Sequence, residues 1–158
     1  MLFNSYLFIF AFLPTCFFVY FILHKKSSYQ LANLFLVFSS FVFYAWWKPS
    51  YLFILLASIF VNYAFGRTLV CFQGRSLQKH FLVLGVLFNI LLLGFYKYVD
   101  FFIVNIKYAT GWEIPTLGVL LPLAISFFTF QQIAYLVDCY KGSVRNYGLL
   151  NYVLFVCF

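Results

Sequence analysis

Polar side chains that could do chemistry are concentrated in an apolar stretch at residues 121–142, LPLAISFFTFQQIAYLVDCYKG. At about 100° per residue, positions three, four and seven apart share one face of a helix. Two neighbouring stripes result, with Gln131, Tyr135 and Asp138 on one and Ser126, Thr129 and Gln132 on the other. Such groups are costly at membrane depth unless they face protein or a wet cavity. The pattern predicts either a polar substrate path or hydrogen bonds between neighbouring helices, and both interpretations remain open.

A nucleophile and a base are not found at a workable spacing in the sequence. His24 and His80 each lie beside lysine at the end of an apolar run, which is typical of interfacial loops. The three acids, Asp100, Glu113 and Asp138, are far apart. Because general acid–base catalysis needs the partners within hydrogen-bond reach, we assign no catalytic residue within this chain.

The four cysteines form no CxxC pair and no Cys/His cluster with metal-ligand spacing. We interpret them as free thiols that pack as small hydrophobic side chains, and we predict no metal site. They are Cys16, Cys71, Cys139 and Cys157.

The composition places the chain in a lipid bilayer. It is 66% hydrophobic and 8% charged, whereas soluble domains are about 45–50% apolar and about 25% charged. We therefore predict an all-α polytopic membrane protein. The net charge of +7 is spread over short loops, which indicates membrane topology and not nucleic-acid binding.

Apolar runs of about 20 residues predict membrane-spanning helices. We expect five spans and a truncated sixth within a single, incomplete domain at residues 1–158. The runs are residues 3–23, 31–47, 51–70, 81–106 and 117–140, and the sixth begins at residue 149. Pro49 suits the first position of the third helix, and Pro122 is expected to bend or cap the fifth.

The fourth run carries a seventh candidate for the substrate path, Asn89, on the same predicted face as Tyr96 and Asp100. Residues 81–106 would reach about 39 Å as a helix, which is longer than the hydrocarbon core. We therefore expect the end of this helix to emerge at the interface, with Lys97 and Asp100 as a solvated pair.

The loop charges predict the orientation. Seven of the ten basic residues lie in the first, third and fifth loops, namely Lys25, Lys26, Arg67, Arg75, Lys79, Lys141 and Arg145. Because positive loops remain cytoplasmic, the N-terminus is predicted to lie outside.

Five segments, spread over nearly the whole chain, carry a family resemblance. They are MLFNS at residues 1–5, FYAWWKP at 43–49, Asn62-Tyr63 with Gly66-Arg67, GFYKYVDFF at 94–102, and residues 121–142. In this order they resemble the N-terminal part of the membrane-bound O-acyltransferase family, in the branch that acetylates alginate or peptidoglycan. Two positions depart from the family pattern: Ala124 stands where the family has glycine, and Cys139 where it has an aliphatic residue.

The resemblance implies an O-acyltransferase of the bacterial plasma membrane that passes acyl groups to a cell-envelope polysaccharide outside. It implies acetyl-CoA or an acyl carrier as donor, no bound cofactor, and an extracytoplasmic acetyltransferase as partner protein. The catalytic histidine of the family lies in a helix beyond these residues. We therefore expect the 158-residue fragment to be inactive alone.

Two other functions fit the same composition. One is a fragment of a transporter or permease, because such proteins also place polar groups in broken helices. The other is a small structural membrane subunit. The series of family segments favours the acyltransferase over both.

Overall fold

The computed structural model describes residues 5–26, 29–112, 115–118, 121–122, 124–143 and 148–157. Glu113, Arg145 and residues 1–4, which the sequence predictions include, lie outside these ranges. The described chain is helical and contains no strand. Its helices are a π-helical turn at Phe8–Phe12, α1 (Leu13–Lys26), α2 (Tyr29–Trp47), α3 (Pro49–Cys71), α4 (Leu77–Thr110), α5 (Ile125–Lys141) and α6 (Leu149–Cys157).

Four helical stretches of the described chain are long and apolar enough to cross a membrane. They are Phe8–Lys25, Tyr29–Trp46, Pro49–Cys71 and Leu77–Thr110. Large apolar side chains cover their outer surfaces, with Phe38 65% exposed and Phe53 73% exposed. Such surfaces suit lipid and not water, and the predicted all-α polytopic fold is confirmed.

Two prolines shape the first and third helices. Pro14, the second residue of α1, lacks an N–H, and its ring would clash with a carbonyl four residues earlier in a regular helix. The wider π turn at Phe8–Phe12 contains that earlier residue. Pro49 is the first residue of α3, as predicted, because its fixed φ suits a helix start. The N–H of Tyr51 donates to the carbonyl of Lys48 at 3.0 Å and closes this first turn.

Helix α4 is longer than predicted. It contains 34 residues and reaches about 51 Å, so it extends beyond a hydrocarbon core of about 30 Å. The apolar run was expected to end at residue 106, but the helix continues to Thr110, because residues 95–110 contain no glycine or proline. Gly111 has a φ of 72°, and its N–H donates to the carbonyl of Lys107 at 2.9 Å, which ends the helix.

The predicted start of the fifth helix is wrong. The helix begins at Ile125 and not at residue 117, and its 17 residues reach about 26 Å, short of a complete span. Gly118 has a φ of 60° and Ala124 a φ of 56°, and both values interrupt a right-handed helix. Pro122 between them disfavours a helical conformation in the residue before it.

Replacing Ala124 with glycine should stabilise the protein by about 1 kcal/mol. A side chain in the left-handed region costs about 1–2 kcal/mol, and glycine removes that cost while adding some entropy to the unfolded chain. Thermal unfolding in detergent measures the change. Because Ala134 is helical, Ala134→Gly is a control that should destabilise instead. Equal effects at the two positions would contradict the strained conformation of Ala124.

Two compact units make up the structure. In the first, residues 1–64 and 144–158, α2 packs against both α1 and α6, and the ring of Phe43 lies 4.9 Å from that of Phe8. In the second, residues 65–143, α4 packs along α5. Helix α3 contributes residues 49–64 to the first unit and 65–71 to the second. The single membrane domain remains a prediction.

Candidate functional site

The second unit buries one continuous face of α5. Its residues are Ile125, Phe128, Thr129, Gln132, Tyr135, Leu136 and Cys139, spaced three and four apart as on a helix face. Three predicted polar side chains lie on this face: Thr129 is 1% exposed, Gln132 0% and Tyr135 5%. The core of this unit therefore contains two hydroxyl groups and an amide among apolar side chains.

The remaining members of the predicted stripes lie elsewhere on the helix. Gln131 is half-buried, and Ser126 and Asp138 are exposed. The phenylalanines of α5 are also divided, since Phe128 is 3% exposed whereas Phe130 is 71% exposed. The buried face thus takes one or two residues from each predicted stripe.

Two side-chain oxygen atoms of α5, one on this face and one beside it, are buried without a hydrogen-bond partner among the described residues. They are Oγ1 of Thr129 and Oε1 of Gln131. An unsatisfied buried polar group costs about 1–3 kcal/mol, so such atoms favour any donor group that reaches them. Both can accept a hydrogen bond from a polar substrate.

Helix α4 contributes Asn89, which is 0% exposed. Its Nδ2 donates to the carbonyl of Gly85, one turn earlier, at 2.8 Å. Gly85 is a point of close approach, because a Cβ there would lie 2.8 Å from Cδ1 of Leu136 on α5. The glycine lets α5 come near the α4 turn that carries Asn89, so Asn89 belongs to the same packed core.

Tyr135 is positioned by the end of α3. Its ring lies so close to Gly66 that a Cβ at that position would overlap the ring atoms. Only glycine has room for this contact, and the ring is held against the backbone of α3. The paired Gly66-Arg67 of the family resemblance therefore includes a residue that shapes the site.

Gln78 is a positioning residue that lies between the third and fourth apolar runs of the sequence. It is the second residue of α4 and is 7% exposed. Its Nε2 donates to the carbonyls of Leu69 at 3.3 Å and Tyr140 at 3.1 Å, and its Oε1 accepts from the N–H of Gly74 at 3.2 Å. One amide thus ties the end of α3, the start of α4 and the end of α5. Its polar neighbours in sequence offered no signal that it would be buried.

The end of α5 is closed by Gly142. This residue has a φ of 75°. Its N–H donates to the backbone carbonyl of Cys139 at 3.2 Å, and the N–H of Ser143 donates to the backbone carbonyl of Asp138 at 3.1 Å. This is the hydrogen-bond pattern that ends many helices at glycine. It leaves the side chain of Asp138 at the exposed final turn.

Asp100 lies outside the buried core. Its carboxylate accepts a hydrogen bond from the N–H of Leu117 at 2.9 Å and so anchors the segment that leads towards α5. The ammonium of Lys97 lies 5.3 Å from the centre of the Tyr98 ring. Asp100 was predicted on the same helix face as Asn89, but its carboxylate contacts the segment after α4 and not the buried core.

The first unit contains a polar pair of its own. Nδ2 of Asn62 donates to the carbonyl of Ser58 at 2.9 Å, and the two side chains are 0% and 1% exposed. The adjacent Tyr63 stacks on Tyr152 of α6, with ring centres 5.8 Å apart. Asn62 was noted in the sequence, but its partners could not be identified without the fold.

The histidines and cysteines supply no further chemistry to this site. His24 stacks on Tyr20, and His80 contacts the carbonyl of Ser76 at 3.3 Å, both at exposed positions. Cys16 and Cys139 are buried free thiols. Among the residues that the structure describes, no group of three His, Cys, Asp or Glu side chains could hold a metal ion. The buried set of amides and hydroxyls can bind and orient a polar group by hydrogen bonds.

Comparison with known proteins gives relatives over nearly the whole chain. A peptidoglycan O-acetyltransferase of Helicobacter pylori is 47% identical over 144 residues, which cover 90% of this chain and 27% of the relative. Proteins named "Probable alginate O-acetylase AlgI" are 32% identical in Pseudomonas aeruginosa and 33% identical in Azotobacter vinelandii, over 99% of this chain and 30% and 32% of theirs. No family model matches, and neither does any solved structure.

The chain spans about three tenths of the length of the curated relatives it matches. The resemblance to the membrane-bound O-acyltransferase family is confirmed by these names and by their coverage of the chain. Over its matched residues the chain is therefore similar to proteins named peptidoglycan O-acetyltransferase and probable alginate O-acetylase.

Proposed function

We propose that this chain is the N-terminal, membrane-embedded part of an O-acyltransferase that acetylates a cell-envelope polysaccharide such as peptidoglycan or an alginate-like polymer. The observation that supports this most strongly is the 47% identity to a peptidoglycan O-acetyltransferase over 90% of the chain. Deleting the gene should remove O-acetyl groups from the polymer, and restoring it should return them. Unchanged acetylation in the deletion strain would overturn the proposal.

The buried polar core is proposed to line the path of the acyl donor or acceptor. Asn89, Thr129, Gln132 and Tyr135 are its members, and Gln131 stands at its edge. Ser126 and Asp138 are exposed, so the path is proposed to depend less on them. A polar path in a low-dielectric surrounding replaces the hydration of a carbonyl or hydroxyl group with fixed hydrogen-bond partners. The competing role is structural, with the same groups holding helices together.

Thr129→Val separates these two roles. Because Oγ1 of Thr129 has no partner among the described residues, replacing the hydroxyl with a methyl group should leave stability unchanged or raise it. If the hydroxyl binds substrate, acetylation should fall by about tenfold, since one hydrogen bond is worth about 1.4 kcal/mol. O-acetyl groups released from the polymer by mild base are measured, together with the protein level in the membrane.

Thr110→Val is the matched control, because this exposed hydroxyl donates to the carbonyl of Ile106 at 2.7 Å within α4. It should leave acetylation unchanged. Full acetylation in Thr129→Val, at a normal protein level, would remove the hydroxyl from the proposed path.

We propose a multi-pass protein of the bacterial inner membrane with its N-terminus outside, which takes an acyl group from acetyl-CoA or an acyl carrier and hands it to an extracytoplasmic acetyltransferase. The loop charges support the orientation. In a chain whose exposed Cys71 is replaced with serine, Ser76→Cys should resist an impermeant thiol reagent in intact cells. If the reagent labels this cysteine from outside the cell, the proposed orientation is wrong.

A further inference from the structure

The first unit contains a cleft, lined in part by polar side chains, that is separate from the buried core of α5. Its volume is about 480 Å³, and it lies where the first turns of α2 and α6 meet. Tyr29, Gln30 and Asn33 line it from α2, and Gly148 and Asn151 from the start of α6. The cleft therefore presents a phenol and three amides next to apolar leucines.

Asn33 is the residue that indicates a ligand. Its side chain is 3% exposed and lines the cleft, yet no hydrogen bond joins its amide to another described residue. An amide has both a donor and an acceptor end, so a ligand with acceptor and donor oxygens at this point can hydrogen-bond to it.

An apolar groove adjoins the cleft. It also has a volume of about 480 Å³, and it follows α2 from Leu31 to Phe41. Leu31 and Leu34 line both spaces, so the cleft and the apolar groove are neighbours along one helix. Ten residues of helix rise about 15 Å, which is half of a hydrocarbon core of about 30 Å. The groove is thus as long as one leaflet is deep.

We propose that one membrane glycerophospholipid occupies this site, with its phosphate and glycerol oxygens in the cleft and one acyl chain in the groove. A polar end joined to an apolar slot one leaflet deep matches an amphiphile. A protein helix in the groove would instead leave the amides of the cleft facing its backbone or side chains. Lys25, exposed at the end of α1 and four residues before Tyr29 in sequence, adds positive charge that favours a phosphate at this membrane surface. The proposal does not depend on acyl transfer.

Gly148 offers a direct way to block the cleft. A Cβ at this position meets nothing within 4 Å, and the backbone is not in the left-handed region, so a larger residue adds volume without strain. Gly148→Leu should fill the cleft, and Asn33→Leu should remove the buried amide at similar size. Gly94→Leu is the matched control, because Gly94 in α4 has the same free space and belongs to the second unit.

The test uses the protein expressed from its complete gene and purified in mild detergent. Phosphatidylethanolamine or phosphatidylglycerol is then added. Native mass spectrometry should find one retained lipid in the wild type and in Gly94→Leu. Retention should fall about tenfold in Gly148→Leu and Asn33→Leu. Equal retention in all four proteins would show that the lipids are annular only and overturn the proposal.

A photoreactive residue at Phe38, which is 65% exposed in the groove, keeps the proposal testable if a cleft variant fails to fold. In membranes grown with radiolabelled phosphate, irradiation should attach labelled lipid to the chain. A crosslink to another segment of the protein or to a partner, without lipid, would show that the groove is covered by protein and overturn the proposal.

Discussion

Replacing Gln78 with leucine is expected to lower the free energy of unfolding by about 3 kcal/mol. The substitution removes three hydrogen bonds, each worth about 0.5–1.5 kcal/mol, and deprives the carbonyls of Leu69 and Tyr140 of this donor. Because those carbonyls belong to α3 and α5, the loss should loosen the packing that holds the buried face of α5. The proposed acetylation activity should fall together with stability.

Gln78→Glu is the informative second variant, since it keeps the acceptor for the N–H of Gly74 but replaces the donor to both carbonyls. It should also destabilise the protein. Leu77→Ala is the control, because the neighbouring side chain is 51% exposed. Denaturation in mixed detergent micelles gives the comparison. A stability within about 0.5 kcal/mol of the wild type for Gln78→Leu would contradict the anchoring role.

Gly66→Ala is expected to destabilise the protein by about 2 kcal/mol, although alanine normally favours a helix over glycine by about 0.5–1 kcal/mol. The added methyl group would overlap the ring of Tyr135, which is 5% exposed and has little room to move. Overpacking of this kind costs about 1–3 kcal/mol. The displaced phenol should also disturb the proposed substrate path.

The opposite sign is expected at Gly94. A methyl group there meets nothing within 4 Å, so Gly94→Ala should stabilise α4 by about 0.5–1 kcal/mol. Combining Gly66→Ala with Tyr135→Leu should recover part of the loss, and the double-mutant cycle gives the coupling between the two positions. If Gly66→Ala stabilises as Gly94→Ala does, the close contact between the ring and α3 is not present in the folded protein.

The sequence by itself determined that this protein lies in a lipid bilayer and that it forms helices. A chain that is 66% hydrophobic with 8% charged residues can satisfy its backbone in lipid only as helices or a closed barrel, and its runs of about 20 apolar residues indicate helices. The order of the helices and the start of α3 at Pro49 followed from local chemistry. The family resemblance also required only the sequence, because its segments keep their order over the chain.

Backbone conformation decided where α5 begins. The residues at 117–124 are apolar enough for a span, so hydropathy alone extended the helix to residue 117. Pro122 and the alanine at position 124, where the family has glycine, are both visible in the sequence, but neither fixes where the helix begins. The left-handed conformation of Ala124 fixes it, because a right-handed helix cannot continue through that residue.

Tertiary packing alone decided which polar groups are buried. Gln131 and Gln132 are neighbours with the same side chain, and the 100° between them places one at the edge and the other at 0% exposure. The same applies to Phe128, which is 3% exposed on an apolar stretch, and to Gln78, which lies between two apolar runs and is 7% exposed. Every face of α5 carries apolar residues, so the periodicity of the sequence cannot show which face packs against α4. The close contacts of α5 with Gly85 and Gly66 select that face. These distances are known only once the helices are packed together.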